Sequence, residues 1–133
     1  MLFSDPETAQ AIVDSKATGN EDLTRIKKLG RQVKNFDPDI WQKNRWAIVL
    51  RGNQLKFKDL SLDNKLLGTD NQTLVEASPY DKIWGIGYEE KDALRNKHSW
   101  GENLLGKILM EVRNERRAER QKILLGGNHN YNQ

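Results

Sequence analysis

The sequence predicts an α+β fold, mainly α-helical, with a few short strands. Apolar residues recur at helical spacing through most of the 133 residues. Pro, Gly and Asn/Asp clusters cut the chain into pieces of helix length. Two short β-prone stretches, 73–77 and 83–88, flank a single Pro turn. No repeat or linker separates two domains, so residues 1–125 read as one domain and 126–133 as a flexible tail.

The elements follow in order. Ser4-Asp5-Pro6-Glu7 opens a helix, with either Ser4 capping and Glu7 reaching back, or Asp5 capping and Pro6 first. That helix runs to about Lys16 with Ala9, Ile12 and Val13 inward, and 17–20 breaks it. A second starts near Glu21, carries Leu23, Ile26, Leu29 and Val33, and is interrupted by Gly30. Asp37-Pro38 caps a third, in which Ile40, Trp41, Ala47, Ile48 and Leu50 share a broad face. Ala47-Ile48-Val49-Leu50 also fits a strand, since period alone does not separate the two. Leu60, Leu62, Leu66 and Leu67 make a short helix ended by Gly68. Ser99-Trp100-Gly101-Glu102 matches a capping box, so the last helix is expected to start there and run to about Leu125.

Composition narrows the function. Only 36% of residues are hydrophobic and mean hydropathy is -0.84, so the core is small, and Trp, Leu and Ile must fill it. Each of the four tryptophans is then either core or a ring for a ligand to stack on. Lys and Arg total 22 against 19 Asp and Glu, a net +3 that permits an anionic ligand but argues against a nucleic-acid partner. The absence of cysteine excludes a disulfide framework, a thiolate nucleophile and a Cys-type zinc site. His98 and His129 lie far apart, so no metal site is expected, and no cofactor motif is present. No apolar run approaches the roughly 20 residues of a membrane span, and the first residues lack a signal peptide's basic start and apolar stretch. The expected location is the cytoplasm, with the nucleus as the other choice.

Several residues stand out, each with an ordinary reading beside a functional one. Asp81, three before Trp84, either caps a turn or stabilises a cation beside a stacking indole. Gly85 and Gly87 would allow a ligand close to the backbone, but no third glycine makes a dinucleotide fingerprint. The helix start at Trp100-Gly101-Glu102-Asn103 can be a plain cap or can hold a phosphate, with Asn103 adding a hydrogen bond. Lys56 beside Phe57 is a solvated lysine or an anion contact. Arg113, Arg116, Arg117 and Arg120 form a basic stripe beside acidic Glu111, Glu115 and Glu119, which favours a solvated face over a phosphate track.

The run LVEASPYDKIWGIGYEEKDA, followed by WGENLLGKILMEVR, resembles the C-terminal signature of the NADAR family of YbiA-like proteins. Upstream, IKKLGRQVKNFDPDIW, NQLKF and LLGTDNQTLVEASP resemble further family segments in the same order, from about Phe3 to Arg117. The resemblance implies a YbiA-like fold and an N-glycosidase acting on ribosylamino-pyrimidine intermediates of riboflavin synthesis or on ADP-ribose conjugates. It implies charge stabilisation by Asp81, and substrate contact by Trp41, Lys56, Trp84, Gly85 and Asn103. The partner would be a small ribosyl or ADP-ribosyl molecule, and the oligomeric state stays open. Family members usually have an upstream strand-rich segment and a glutamate-bearing helix, which have no counterpart here. The resemblance therefore implies a form shortened at its N-terminal side. The alternative it leaves is a non-catalytic ADP-ribose or nucleotide-binding module.

Overall fold

The structure is a computed structural model and describes residues 5–15 and 19–126. The chain forms two compact units, Met1–Arg45 and Trp46–Gln133. Each is treated by itself.

In the first unit, α1 (Pro6–Asp14) begins on Asp5, whose Oδ1 accepts from the Thr8 amide at 3.1 Å with Pro6 in the first position. Of the two caps open to the sequence, Asp5 is therefore the one that forms, while Ser4 lies outside the described residues. Its Oδ2 accepts from the Lys34 amide at 2.8 Å, so one carboxylate joins the start of α1 to the segment after α2 (Asn20–Gly30). Those bonds, the Lys34 amide first, hold the Asp5 carboxyl below its usual value. The chain ends α1 at Asp14, two residues before the expected stop, with the Ser15 hydroxyl donating back to the Ala11 carbonyl. Asn35 takes a positive φ of 57° between α2 and α3 (Pro38–Lys56). The Asp37 cap forms as expected, its Oδ1 accepting from the amides of Asp39 and Ile40 at 2.9 and 3.1 Å. The 47–50 stretch is helix, not strand.

The second unit holds the end of α3, α4 (Leu60–Leu67), α5 (Glu90–Ala93) and α6 (Leu104–Gly126). Asp59 caps α4 through the Leu62 amide at 3.0 Å, and Gly68 follows its last residue. Leu66, Ile108 and Val112 form the buried centre, and Trp46, Val49, Leu50, Phe57, Leu74, Trp84 and Leu109 pack around it. Fully burying side chains such as Ile108 and Val112 is worth about 1.5–3 kcal/mol each.

The arginine row on α6 is not a solvated face. Arg116 and Arg120 converge on Asp63 of α4, which has no exposed surface. Arg116 donates at 3.1 and 3.0 Å, and Arg120 at 3.2 and 2.8 Å. Arg116 holds the Asp63 carboxyl below its usual value, against the burial that would raise it, and Asp63 in turn raises the guanidinium. Arg113 is buried and donates to the Thr69 hydroxyl and the Gln72 carbonyl, while Arg117 ties to Asp70 and Asn71. Burial, unrelieved by a paired carboxylate, lowers the Arg113 value. The stripe fastens α6 to α4 and to the turn after it.

The α+β expectation is overturned: among the described residues there are helices and irregular segments but no strand. Residues 73–77 and 83–88 are extended or bent, and one backbone bond, Ile86 amide to Glu76 carbonyl at 3.0 Å, joins them. Their remaining polar groups are spent elsewhere. The Asn103 side chain accepts from the Glu76 amide and donates to the Leu74 carbonyl, taking the place a neighbouring strand would fill. The carbonyls of residues 82–86 accept from the amides of 101–105. No ladder can grow when both edges are already occupied.

Those bonds also correct the capping box. Ser99 belongs to a short 3-10 turn, Lys97–Ser99, and its hydroxyl meets Tyr88 and the Asn96 carbonyl. The last helix starts five residues later, at Leu104, behind an Asn103 with φ 51°.

Candidate active site

The candidate residues Asp81, Trp84, Gly85 and Asn103 lie where 74–88 crosses the start of α6. Five successive amides, from Gly101 to Leu105, donate to the carbonyls of Ile86, Lys82, Gly85, Ile83 and Trp84. The bonds run from 2.7 to 3.2 Å. A helix start normally leaves its first amides free for an anion. Here the loop consumes them, so of the two readings open at Trp100-Gly101-Glu102-Asn103 the phosphate one finds no free backbone donors at 101–105.

Such a crossing needs bare backbone at the contact points. A Cβ at Gly101 would lie 2.2 Å from the Lys82 carbonyl oxygen. One at Gly85 would lie 2.7 Å from the Glu76 carbonyl oxygen and 2.9 Å from that of Asp81. The close approach that glycine permits at 85 is thus used by the chain itself. The Glu76 side chain also lies across this glycine, its Cγ 3.3 Å from the same point.

Asp81 follows the 78–80 turn. Its Oδ1 accepts from the amides of Ile83 at 2.9 Å and Trp84 at 2.8 Å, which is the turn-capping geometry the sequence allowed. That bond pair fixes the carboxylate's direction. Oδ2 takes no hydrogen bond from the described residues, so one oxygen is left for a ligand. The Trp84 ring is half-buried against the Leu66–Ile108–Val112 core, so the residue is anchored by the fold. A carboxylate held in one orientation is suited to face a positive charge that forms briefly on a bound molecule.

The other singled-out residues are distributed as follows. Asn103 is 6% exposed, and both ends of its amide serve the backbone of Leu74 and Glu76. Lys56 ends α3 with its ammonium 5.8 Å from the centroid of the Phe57 ring, and Phe57 packs on the same core as Trp84. Trp41 is half-buried in the first unit, and Trp46 and Trp84 in the second pack on the core. Trp100 donates its indole N–H to the Ala93 carbonyl at 2.8 Å. Two open hollows, one lined by Glu89, Glu90 and Lys91 and one by Asp39, Gln42 and Lys43, involve none of these residues. The described residues contain no cluster of three or more His, Cys, Asp or Glu that could hold a metal, and no helix long and apolar enough to cross a membrane.

Sequence reasoning missed Asp63 and Glu76. Asp63 lies three residues before Leu66, on the inward stripe of α4, and an acid there calls for a cation. Arg116 and Arg120 of the α6 row supply that cation. Glu76 had no local signal, because its place depends on how Gly85 folds back.

Comparison with known proteins adds to this geometry. The family model described as "NADAR domain" matches residues 1–117. The chain is 52% identical over 94 residues to the N-glycosidase R617 of Acanthamoeba polyphaga mimivirus, covering 68% of this chain and 55% of that protein. It is 32% identical over 116 residues to the chloroplastic riboflavin biosynthesis protein PYRR of Zea mays, covering 83% of this chain and 17% of that one. It is 34% identical over 96 residues to the protein irg-1 of Caenorhabditis elegans, covering 68% and 45%. The chain spans about half the length of these curated relatives or less.

Proposed function

The chain belongs to the NADAR domain family, and from that premise we propose that it is an N-glycosidase that hydrolyses a ribose–nitrogen bond. The observation that carries the proposal is the fixed Asp81 carboxylate, with Oδ1 locked by two amides and Oδ2 left over, beside the anchored Trp84. Breaking the bond between a ribose and a heterocycle builds positive charge on the anomeric carbon. Oδ2 of Asp81 stabilises that charge, and the Trp84 indole orients the departing base. Lys56, with its exposed ammonium, meets an anionic group of the substrate. Asn103 acts by holding the Glu76 segment against the start of α6.

The substrate class is a small ribosylated pyrimidine of the kind that occurs in riboflavin synthesis. The likeness to the riboflavin biosynthesis protein of Zea mays supports it over an ADP-ribose conjugate. The test incubates the chain with a ribosylamino-pyrimidine phosphate and, separately, with ADP-ribosylated substrates, and follows free base and free sugar by chromatography. The wild-type chain releases base in the first arm. Asp81→Asn lowers kcat by about 100-fold or more while KM stays within a few-fold. An unchanged rate removes Asp81 from the mechanism, and binding without product in both arms overturns the hydrolase reading in favour of a binding module.

A further inference from the structure

We propose that Glu76 is the second acid group of this site and takes the proton from the attacking water. The inference rests on the N-glycosidase reading and goes beyond it in assigning a base.

Three features carry it. First, Glu76 and Asp81 are brought to one place by the fold. Their carbonyl oxygens lie 2.7 and 2.9 Å from the position a side chain at Gly85 would occupy, and the Glu76 Cγ lies 3.3 Å from it. Gly85 directly follows Trp84, whose amide Asp81 holds. The Glu76 side chain therefore lies against the bare backbone of Gly85, the residue after Trp84. Second, its backbone is fixed from three sides. Its amide donates to Asn103, and its carbonyl accepts from the amides of Ser78 and Ile86. Third, the carboxylate itself is exposed and makes no hydrogen bond or ion pair with the described residues. Asp5, Asp37, Asp59, Asp63 and Asp81 are engaged as caps or ion pairs, whereas Glu76 combines a fixed backbone with a carboxylate that has no such engagement.

The two acids are suited to different work. Asp81 is tied by two amides, so it serves as a fixed negative charge. A proton carrier must accept and release a proton without breaking other bonds, and Glu76 meets that condition. In the step, the water oxygen bonds to the anomeric carbon while the carbon–nitrogen bond breaks, its electron pair staying on nitrogen. Glu76 takes one proton from the water and passes it to solvent. The departing nitrogen takes one proton from solvent, and the water's other hydrogen remains on the sugar hydroxyl. Atoms and charge balance, and both carboxylates end as they began.

The experiment compares wild type, Glu76→Gln, Glu76→Ala and Asp81→Asn on the substrate the wild type cleaves, with far-UV circular dichroism to establish that each is folded. Glu76→Gln is expected to lower kcat by about 100-fold or more with KM within about threefold of wild type. Added formate, which replaces the lost carboxylate, is expected to restore at least about a tenth of the wild-type kcat to Glu76→Ala and nothing to Asp81→Asn. A kcat for Glu76→Gln within about twofold of wild type, or a loss in Glu76→Ala that formate leaves untouched, overturns the assignment. If that happens while Asp81→Asn stays inactive, the glycosidase reading survives without Glu76. A wild-type chain that releases no base from any ribosylated substrate overturns both together.

Discussion

Replacing Asp63 by Ala is expected to destabilise the second unit by about 3 kcal/mol. The side chain has no exposed surface, and Arg116 and Arg120 reach it with four N–H···O contacts between 2.8 and 3.2 Å. Removing one partner of a buried ion pair costs roughly 3–5 kcal/mol, because the stranded charge has lost its water. The Arg116 and Arg120 side chains are 20% and 38% exposed, so water recovers part of that loss and the lower end applies. For a chain of this size the change corresponds to a fall in Tm of about 10 °C. Removing the more exposed partner with Arg120→Ala should cost about 1 kcal/mol. The pH dependence gives a second readout. Arg116 lowers the folded-state value of Asp63, so between folded and unfolded values the unfolded chain binds more protons and stability rises with pH. The contribution is complete above about pH 4, the unfolded value, and is lost as acid protonates the folded carboxyl. Urea titrations from pH 7 downward should therefore show a shallower acid loss in Asp63→Ala than in wild type. A loss below about 1 kcal/mol at pH 7, or an unchanged acid slope, refutes a buried clasp at Asp63.

Two further outcomes test the crossing beneath the site. Asn103→Ala strands the Glu76 amide and the Leu74 carbonyl and places Ala at φ 51°, so it should cost about 2–4 kcal/mol by chemical denaturation. Asn103→Gly relieves the strain but not the lost bonds, and should recover about 1 kcal/mol of that. Gly101→Ala drives a methyl to 2.2 Å from the Lys82 carbonyl oxygen, so it should lose more than about 3 kcal/mol or fail to yield folded protein by circular dichroism.

The legible parts of this fold are those whose cause lies within four residues. Asp37 before Pro38 and Gly68 after α4 are local signals, and the helices they bound are the expected ones. At the first helix the local signal was as strong, but two caps competed, and the long-range bond from Lys34 accompanies the choice of Asp5. The failures are non-local. Val75 and Ile83 to Ile86 have strand-like composition, but whether a strand forms depends on an unpaired edge, and Asn103, 27 residues from Glu76, occupies that edge. Ser99 and Glu102 have the spacing of a capping box, but Glu102 gives its amide to Lys82, which no four-residue pattern contains. The proposed site was legible only as a motif: Asp81 and Trp84 stood out by spacing, whereas the proposed role of Glu76 enters only through the contact at Gly85.

The start of α6 constrains how such a site grips its substrate. Many phosphate sites rely on bare helix amides, which bind an anion whatever side chains surround it. In this chain the amides of 101–105 are committed to the loop that carries Asp81 and Trp84. The helix end therefore contributes rigidity to the carboxylate in place of affinity for an anion. On the proposed reading, a phosphate on the substrate is held by side-chain cations such as Lys56, whose attraction is screened by salt. Chemistry fixed by backbone bonds and anion binding left to side chains should respond differently to ionic strength. Added salt should raise KM for a phosphorylated substrate far more than it lowers kcat, and a kcat that falls as steeply as KM rises refutes that division of labour.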